Sequence, residues 1–211
     1  MKIYFVRHGV TDGNDNNQFQ LPTISLSKKG FGQANFIAQR LKDENIPIDI
    51  IFSSPMTRAS QTAHVIAEKI GHEVIENELF EEIKRPSIVR GRSKEDPEVK
   101  AIMKDVKKYF SDPNWRYSDE ENYFLARDRA QKALDFILSG KKENVLVVTH
   151  GEILKMMLGV IIHGNDLTPE IYNKIKFVFA IFNTSISKFE FNDLGWYIRA
   201  WNDHAHLGEV E

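Results

Sequence analysis

The chain predicts an α/β fold built on a mainly parallel sheet with helices on both faces. Three observations carry this expectation. The short apolar runs Ile3–Val6, Ile48–Phe52 and Val145–Val148 have the length and residue types of buried strands. Stretches with apolar residues at helical spacing lie between them. The C-terminal part is strand-like around a turn at Asn192-Asp193-Leu194-Gly195, which predicts an antiparallel edge.

Taken in order, the strand Lys2–Val6 gives way to a polar stretch from Gly9 to Gln20. Ser27 is placed as a helix N-cap, with Ala34, Ile37, Ala38 and Leu41 behind it at helical spacing. The strand Ile48–Phe52 ends at Ser53-Ser54-Pro55. A helix from about Met56 to Ile70 follows, with Ala59, Ala63, Ile66, Ala67 and Ile70 on its inner face. Glu73–Ile75 is a short strand candidate. From Lys84 to about Glu121 the chain becomes charged, with Pro86, Pro97 and Pro113, and holds one predicted helix over Pro97–Phe110. This segment is expected to be an insertion lying over one end of the sheet, within a single domain spanning 1–211. A helix over Asn122–Leu138, the strand Val145–Val148 and a helix after Gly151 come next. Strand-like runs at Phe177–Phe182, Ser185–Phe191 and Trp196–Trp201 close the chain.

With 211 residues, 42% hydrophobic and 27% charged, the composition is that of an ordinary globular domain. A net charge of −2 argues against a general nucleic-acid or anionic-membrane binder. The absence of cysteine removes disulfides, thiolate metal sites and a cysteine nucleophile together. No apolar run approaches the roughly 20 residues that span a bilayer, and no signal-like segment opens the chain. A cytoplasmic protein is expected.

The chemistry-bearing residues sit where strands end, which is where open α/β sheets place their ligand crevices. Arg7-His8-Gly9 follows the run Ile3–Val6 and Thr149-His150-Gly151 follows the run Val145–Val148. Glycine allows close backbone approach to a ligand, and arginine offers a fork of donors matched to phosphate oxygens. A neutral imidazole can attack phosphorus if its other nitrogen is held as a donor. Thr11 and Asn14 would add neutral donors. Arg58 falls in the first turn of the helix after Ser53-Ser54-Pro55, where backbone amides already attract anions. A proton for a leaving oxygen requires a carboxyl group; Glu82 and Glu81, just before the insertion, are rival candidates.

These motifs, in this order, resemble the histidine phosphatase superfamily, also called the phosphoglycerate mutase-like family. The resemblance runs from Arg7-His8-Gly9-x-Thr11-x-x-Asn14 through Leu26-Ser27, Gly30 and Gln33-Ala34. It continues through Ser53-Ser54-Pro55 with Arg58, Gln61, Thr62 and Ala63, and through Thr149-His150-Gly151. It ends at Asn183-Thr184-Ser185 and Asn202–Leu207. It implies a three-layer α/β/α sandwich whose insertion, about 84–121, caps the pocket. It further implies that His8 is phosphorylated, that Arg7, Arg58 and His150 hold the phosphoryl oxygens, and that Glu82, followed by Ile83 as in the family, is the acid. Gly9, Thr11, Asn14 and Gly151 are placed as substrate-binding residues, with His150 expected to be cationic. The resemblance points to a metal-independent phosphatase with no cofactor, acting on a small phosphorylated substrate.

Mutases of the family usually carry Leu-Asn-Glu-Arg-x-Tyr-Gly at the acid segment. This chain reads Leu79-Phe80-Glu81-Glu82-Ile83-Lys84-Arg85 there, which favours hydrolysis over the alternatives of a bisphosphate-dependent mutase or a non-catalytic phospholigand-binding protein. Lys84, Arg85, Arg90, Arg92 and Lys94 form a basic cluster that could read a second anionic group or could be solvated. Trp115, Tyr117, Tyr123 and Phe124 could wall the pocket or pack the insertion. His204 and His206, two apart, fit packing roles rather than a metal site.

Overall fold

The computed structural model describes residues 1–208. Six strands form one sheet in the order β3-β2-β4-β1-β5-β6: β1 (Lys2–Arg7), β2 (Ile50–Ser53), β3 (Val74–Glu76), β4 (Asn144–Thr149), β5 (Ile186–Asn192) and β6 (Gly195–Asp203). β3, β2, β4 and β1 run parallel, and β5 and β6 add the expected antiparallel edge. The alternation of side chains along each strand makes the two cores. Ile3, Phe5, Val145 and Val147 face one layer, packed with Ala126, Ala130, Leu134, Ile153 and Leu154. Tyr4, Val6, Leu146 and Val148 face the other, packed with Ile37, Leu41, Ala59, Ala63 and Ile66. Hence α5 (Tyr123–Ser139) and α6 (Gly151–His163) cover one face, while α2 (Lys28–Asp43) and α3 (Thr57–Ile70) cover the other. The α/β/α sandwich is therefore present.

The local signals explain these elements. Ser27 caps α2, its Oγ accepting from Gly30 N at 3.1 Å. Gly71, at φ 77°, ends α3 in the left-handed conformation that glycine reaches without strain. A short helix α1 (Asp12–Asp15) begins within the polar stretch, with Thr11 as its cap.

One expectation fails. Phe177–Phe182 is not a strand: α7 (Pro169–Val178) runs into it, and 179–182 carries no strand before Thr184 and Ser185 meet Arg7 at the end of β1. Thr168 caps this helix and Pro169 occupies its first turn, a start signal that outweighs a short apolar run whose periodicity fits either state. Phe177 and Val178 are exposed, not core.

Within 84–121, α4 (Pro97–Lys108) packs Val99, Ile102, Met103 and Val106 with Val89, Phe19 and Trp115. The segment is stitched to the loop after α1: Phe19 N donates to Arg92 O, Gly91 N to Phe19 O and Lys94 N to Asn17 O. Trp115 of the segment, and Tyr123 and Phe124 at the start of α5, serve packing, whereas Tyr117 is exposed. Trp115 lies against Tyr109, while Tyr123 is buried among Phe110, Phe124 and Tyr172. Among the described residues no helix is long and apolar enough to cross a membrane.

Candidate active site

Arg7 and Thr149 are register partners at the ends of adjacent parallel strands. His8 and His150 therefore leave the sheet side by side, with ring centroids 5.0 Å apart. Both are buried. His8 donates its Nδ1–H to Gly9 O at 2.7 Å, since a carbonyl can only accept; Nε2 is left with a lone pair, which accepts from Arg58 Nε at 3.2 Å. Burial, with Arg58 and Arg7 beside it, holds His8 well below the usual imidazole range, so the free side chain is neutral.

His150 contacts Ser54 Oγ through Nε2 at 2.8 Å, and its Nδ1 is buried without a partner. Burial and then Arg58, His8 and Arg7 push it well below its ordinary value. Burial first, and then the neighbouring arginines, favour the neutral form of His150 over the expected cationic one.

Arg58 lies in the first turn of α3 and is buried; it also donates to Leu21 O at 3.2 Å. Burial lowers it to about 10, against the pull of Glu82. Arg7 donates from Nη1 to Ile181 O at 2.7 Å, while its Nε is buried without a partner. Burial lowers Arg7 also, opposed first by Glu82 and then by Glu152. Two guanidiniums beside a neutral imidazole make a preformed oxyanion receptor.

Glu82 accepts Ile83 N at 2.9 Å and the helix-start amides Glu152 N at 3.1 Å and Ile153 N at 3.0 Å. Its carboxylate is thereby fixed at the N-terminus of α6. Glu81 pairs with Lys84 at 3.7 Å. Both glutamates line a cavity of about 560 Å³, together with Arg7, His8, Asn14 and Arg58.

Thr11 does not line this cavity. Its hydroxyl donates to Asn14 Oδ1 at 3.0 Å, and its N–H reaches the same oxygen at 3.1 Å. That fixes the Asn14 amide and leaves Nδ2 as the donor it can offer. Gly9 serves packing more than ligand approach: an added Cβ would lie 2.6 Å from Gly30 O. A side chain at Gly151 would meet Ile181 at 3.4 Å and Arg7 Nε at 3.6 Å. Of the basic cluster, Lys84, Arg85, Arg90 and Lys94 line the cavity. Arg92 instead pairs with Asp96 and Glu98.

The sequence reading assigned no role to several residues that hold this site. Gln33 accepts Val10 N, Gln61 accepts Leu26 N and Thr62 accepts Gly9 N. Asn183 donates to His8 O at 2.8 Å. Thr149 Oγ1 donates to Phe80 O at 2.7 Å, tying β4 to the glutamate segment. All except Phe80 stand inside the motifs that carry the resemblance, which was the available signal. Gln18, Phe19 and Gln20 line the cavity from an unmarked loop. His206 Nε2 lies 3.2 Å from Thr184 Oγ1 and His204 lies against Phe182. Among the described residues no cluster could hold a metal ion.

Comparison with known proteins agrees with this geometry. The profile of the histidine phosphatase superfamily (branch 1) matches residues 3–204. A metal-independent phosphoserine phosphatase of Arabidopsis thaliana is 30% identical over 216 residues, covering 99% of this chain and 84% of that protein. A probable phosphoglycerate mutase, GpmB, of Yersinia enterocolitica is 28% identical over 218 residues, covering 98% of this chain and 95% of its own. The crystal structure of a phosphoserine phosphatase from Entamoeba histolytica with 3-phosphoglyceric acid is similar at 28% identity and TM-score 0.77, with 98% of each chain covered. The chain belongs to the histidine phosphatase superfamily, in its phosphatase branch, as an enzyme of the histidine-phosphatase hydrolase type.

Proposed function

We propose that the protein hydrolyses small phosphomonoesters, without a metal ion, through a phosphohistidine on His8. The observation that carries this reading is the His8 ring: neutral, with Nδ1 held by Gly9 O and the Nε2 lone pair facing Arg58. On substrate binding the Arg58 Nε–H hydrogen bond is redirected from His8 Nε2 to a phosphoryl oxygen, which frees the lone pair. Nε2 then bonds to phosphorus as the ester P–O bond breaks, and Glu82 gives its proton to the leaving oxygen. In the second step water bonds to phosphorus, the Nε2–P bond breaks, and Glu82 takes the water proton. Arg7 and Arg58 offset the charge on the phosphoryl oxygens. The dianion offsets the charge of Arg7 and Arg58, so His150 takes up a proton with the substrate and donates to it. Asn14 completes the phosphoryl pocket, Thr11 acts through Asn14, and Gly9 and Gly151 act by the close packing they allow against Gly30 and Arg7. Residues 1–211 act as one domain, with 84–121 as the cap. The cysteine-free composition suits a cytoplasmic setting.

Glu82 is preferred as the acid because of its position: it is the carboxyl group that both Arg7 and Arg58 feel most, which places it beside the phosphoryl site. Glu81 has the countervailing advantage that its oxygens are not engaged by the helix amides. Glu82→Gln should slow hydrolysis of alkyl phosphates about 10²-fold or more while sparing activated aryl phosphates. If Glu81→Gln alone shows that signature, the acid is Glu81.

The cavity also favours substrates with a second anionic group, such as the carboxylate that phosphoserine and 3-phosphoglyceric acid carry. Arg85 pairs with Glu152 only at 3.9 Å, and Glu152 is already engaged by Lys176 at 2.9 Å and Lys155 at 3.6 Å. Arg85 therefore keeps its donors for a ligand, with Lys94 on the same cavity lining. Arg85→Met should lower kcat/KM about tenfold for a carboxylate-bearing ester, roughly the worth of one charge-assisted hydrogen bond. A singly anionic ester should change little. Equal losses on both would overturn the second-anion assignment and leave the phosphatase reading intact.

A further inference from the structure

A largely buried ion pair outside the phosphoryl pocket uses every donor of its arginine. Arg129, on α5, directs Nε and Nη2 to the two oxygens of Glu121 at 2.7 and 2.6 Å. Its remaining N–H groups go to main-chain carbonyls: Nη1 to Leu79 O at 3.1 Å and Glu81 O at 2.7 Å, and Nη2 to Glu82 O at 3.3 Å. Those carbonyls belong to the segment that carries the acid. Glu121 also accepts Lys84 N at 2.9 Å, and its own N–H donates to Lys84 O at 3.1 Å. The two ends of the 84–121 insertion are thus pinned together at the same point.

Stability alone does not call for such a device, because a buried ion pair is commonly matched or bettered by apolar packing. What a guanidinium uniquely supplies is five donors in one rigid plane. Here they fix three carbonyls around two consecutive glutamates. Displacement by about 1 Å can cost on the order of 10²-fold in rate, so the backbone of a proton donor is a place where this rigidity has catalytic effect.

We infer that Arg129 and Glu121 are positioning residues, clamping the Leu79–Glu82 backbone and the neck of the insertion so that the acid carboxyl meets the leaving oxygen. This rests on the proposed acid role of that segment and holds whichever of Glu81 and Glu82 donates the proton.

The test is a leaving-group series, aryl to alkyl phosphates, on Arg129→Lys and Glu121→Gln, with melting curves for fold. Lysine keeps the charge but cannot span the carbonyls. Glu121→Gln keeps the shape and serves if Arg129→Lys does not fold. The expected result is a loss of about tenfold to a hundredfold on alkyl esters and less than about threefold on activated aryl esters. The steepening should vanish when either change is combined with the glutamine variant of the acid glutamate. A uniform loss across the series, no loss, or steepening that persists without the acid would each overturn the inference. Failure of the acid reading itself shows separately, as an absence of steepening in both Glu82→Gln and Glu81→Gln.

Discussion

His8→Ala is expected to reduce phosphate release from every phosphomonoester by roughly 10⁴-fold or more, with chelator present throughout. Both half-reactions pass through the Nε2–P bond, so nothing else in the pocket replaces the missing nitrogen. Covalent labelling by substrate phosphate should disappear with it, while the melting curve stays close to wild type. The pH profile adds a second check. Burial, Arg58 and Arg7 hold His8 well below its ordinary 6.5. A depressed histidine pKa keeps the nucleophile neutral as pH falls through 6.5. The acid limb of kcat/KM assigned to His8 should therefore lie below that value, once the substrate's own ionisation is allowed for. Arg58→Gln removes a cation and should move that limb upward as well as lowering the rate. Substantial metal-free turnover by His8→Ala would remove the phosphohistidine from the mechanism.

Gly30→Ala should be the most damaging small substitution in the scaffold, costing about 3–5 kcal/mol or preventing folding. An added Cβ on Gly30 would overlap Val10 O, and one on Gly9 would press on Gly30 O. The atoms met are main chain on both sides, so no side chain can swing away. The start of α2 and the loop after His8 are thus packed backbone to backbone, further joined by Ser27 N to Val10 O and Ser27 Oγ to the same oxygen. Gly32, two residues further along α2, has open space where its Cβ would be. Gly32→Ala should stabilise by about 0.5–1 kcal/mol through helix propensity. Denaturant midpoints of the two variants give the comparison. Similar midpoints would show that the Gly9–Gly30 contact relaxes at low cost.

Much of this architecture was legible because its signals are local. The runs Ile3–Val6 and Val145–Val148 alternate between two helical layers, and Ser27 marks a helix start. The strand predicted at Phe177–Phe182 went the other way because Thr168-Pro169 starts a helix that the apolar run alone does not reveal. At the site, His8, His150, Arg7 and Arg58 were brought together as their strand-end and helix-start positions implied. Gly9 was read as making room for a ligand, whereas its neighbour is Gly30; Thr11 was read as a donor to the pocket, whereas its hydroxyl is used on Asn14.

The sequence by itself determined which residues stand at the ends of the central strands, and through the motifs, which family of chemistry they serve. Periodicity, caps and strand-end glycines act over a few residues, so they can be read without knowing what lies opposite. The tertiary structure alone decided the protonation of His8 and His150, the engagement of Glu82 with the start of α6, the Gly9–Gly30 contact and the five-donor clamp of Arg129. Each of these depends on groups far apart in the chain. Burial and neighbouring charge, which set a pKa or a steric limit, exist only once the layers have closed around the site.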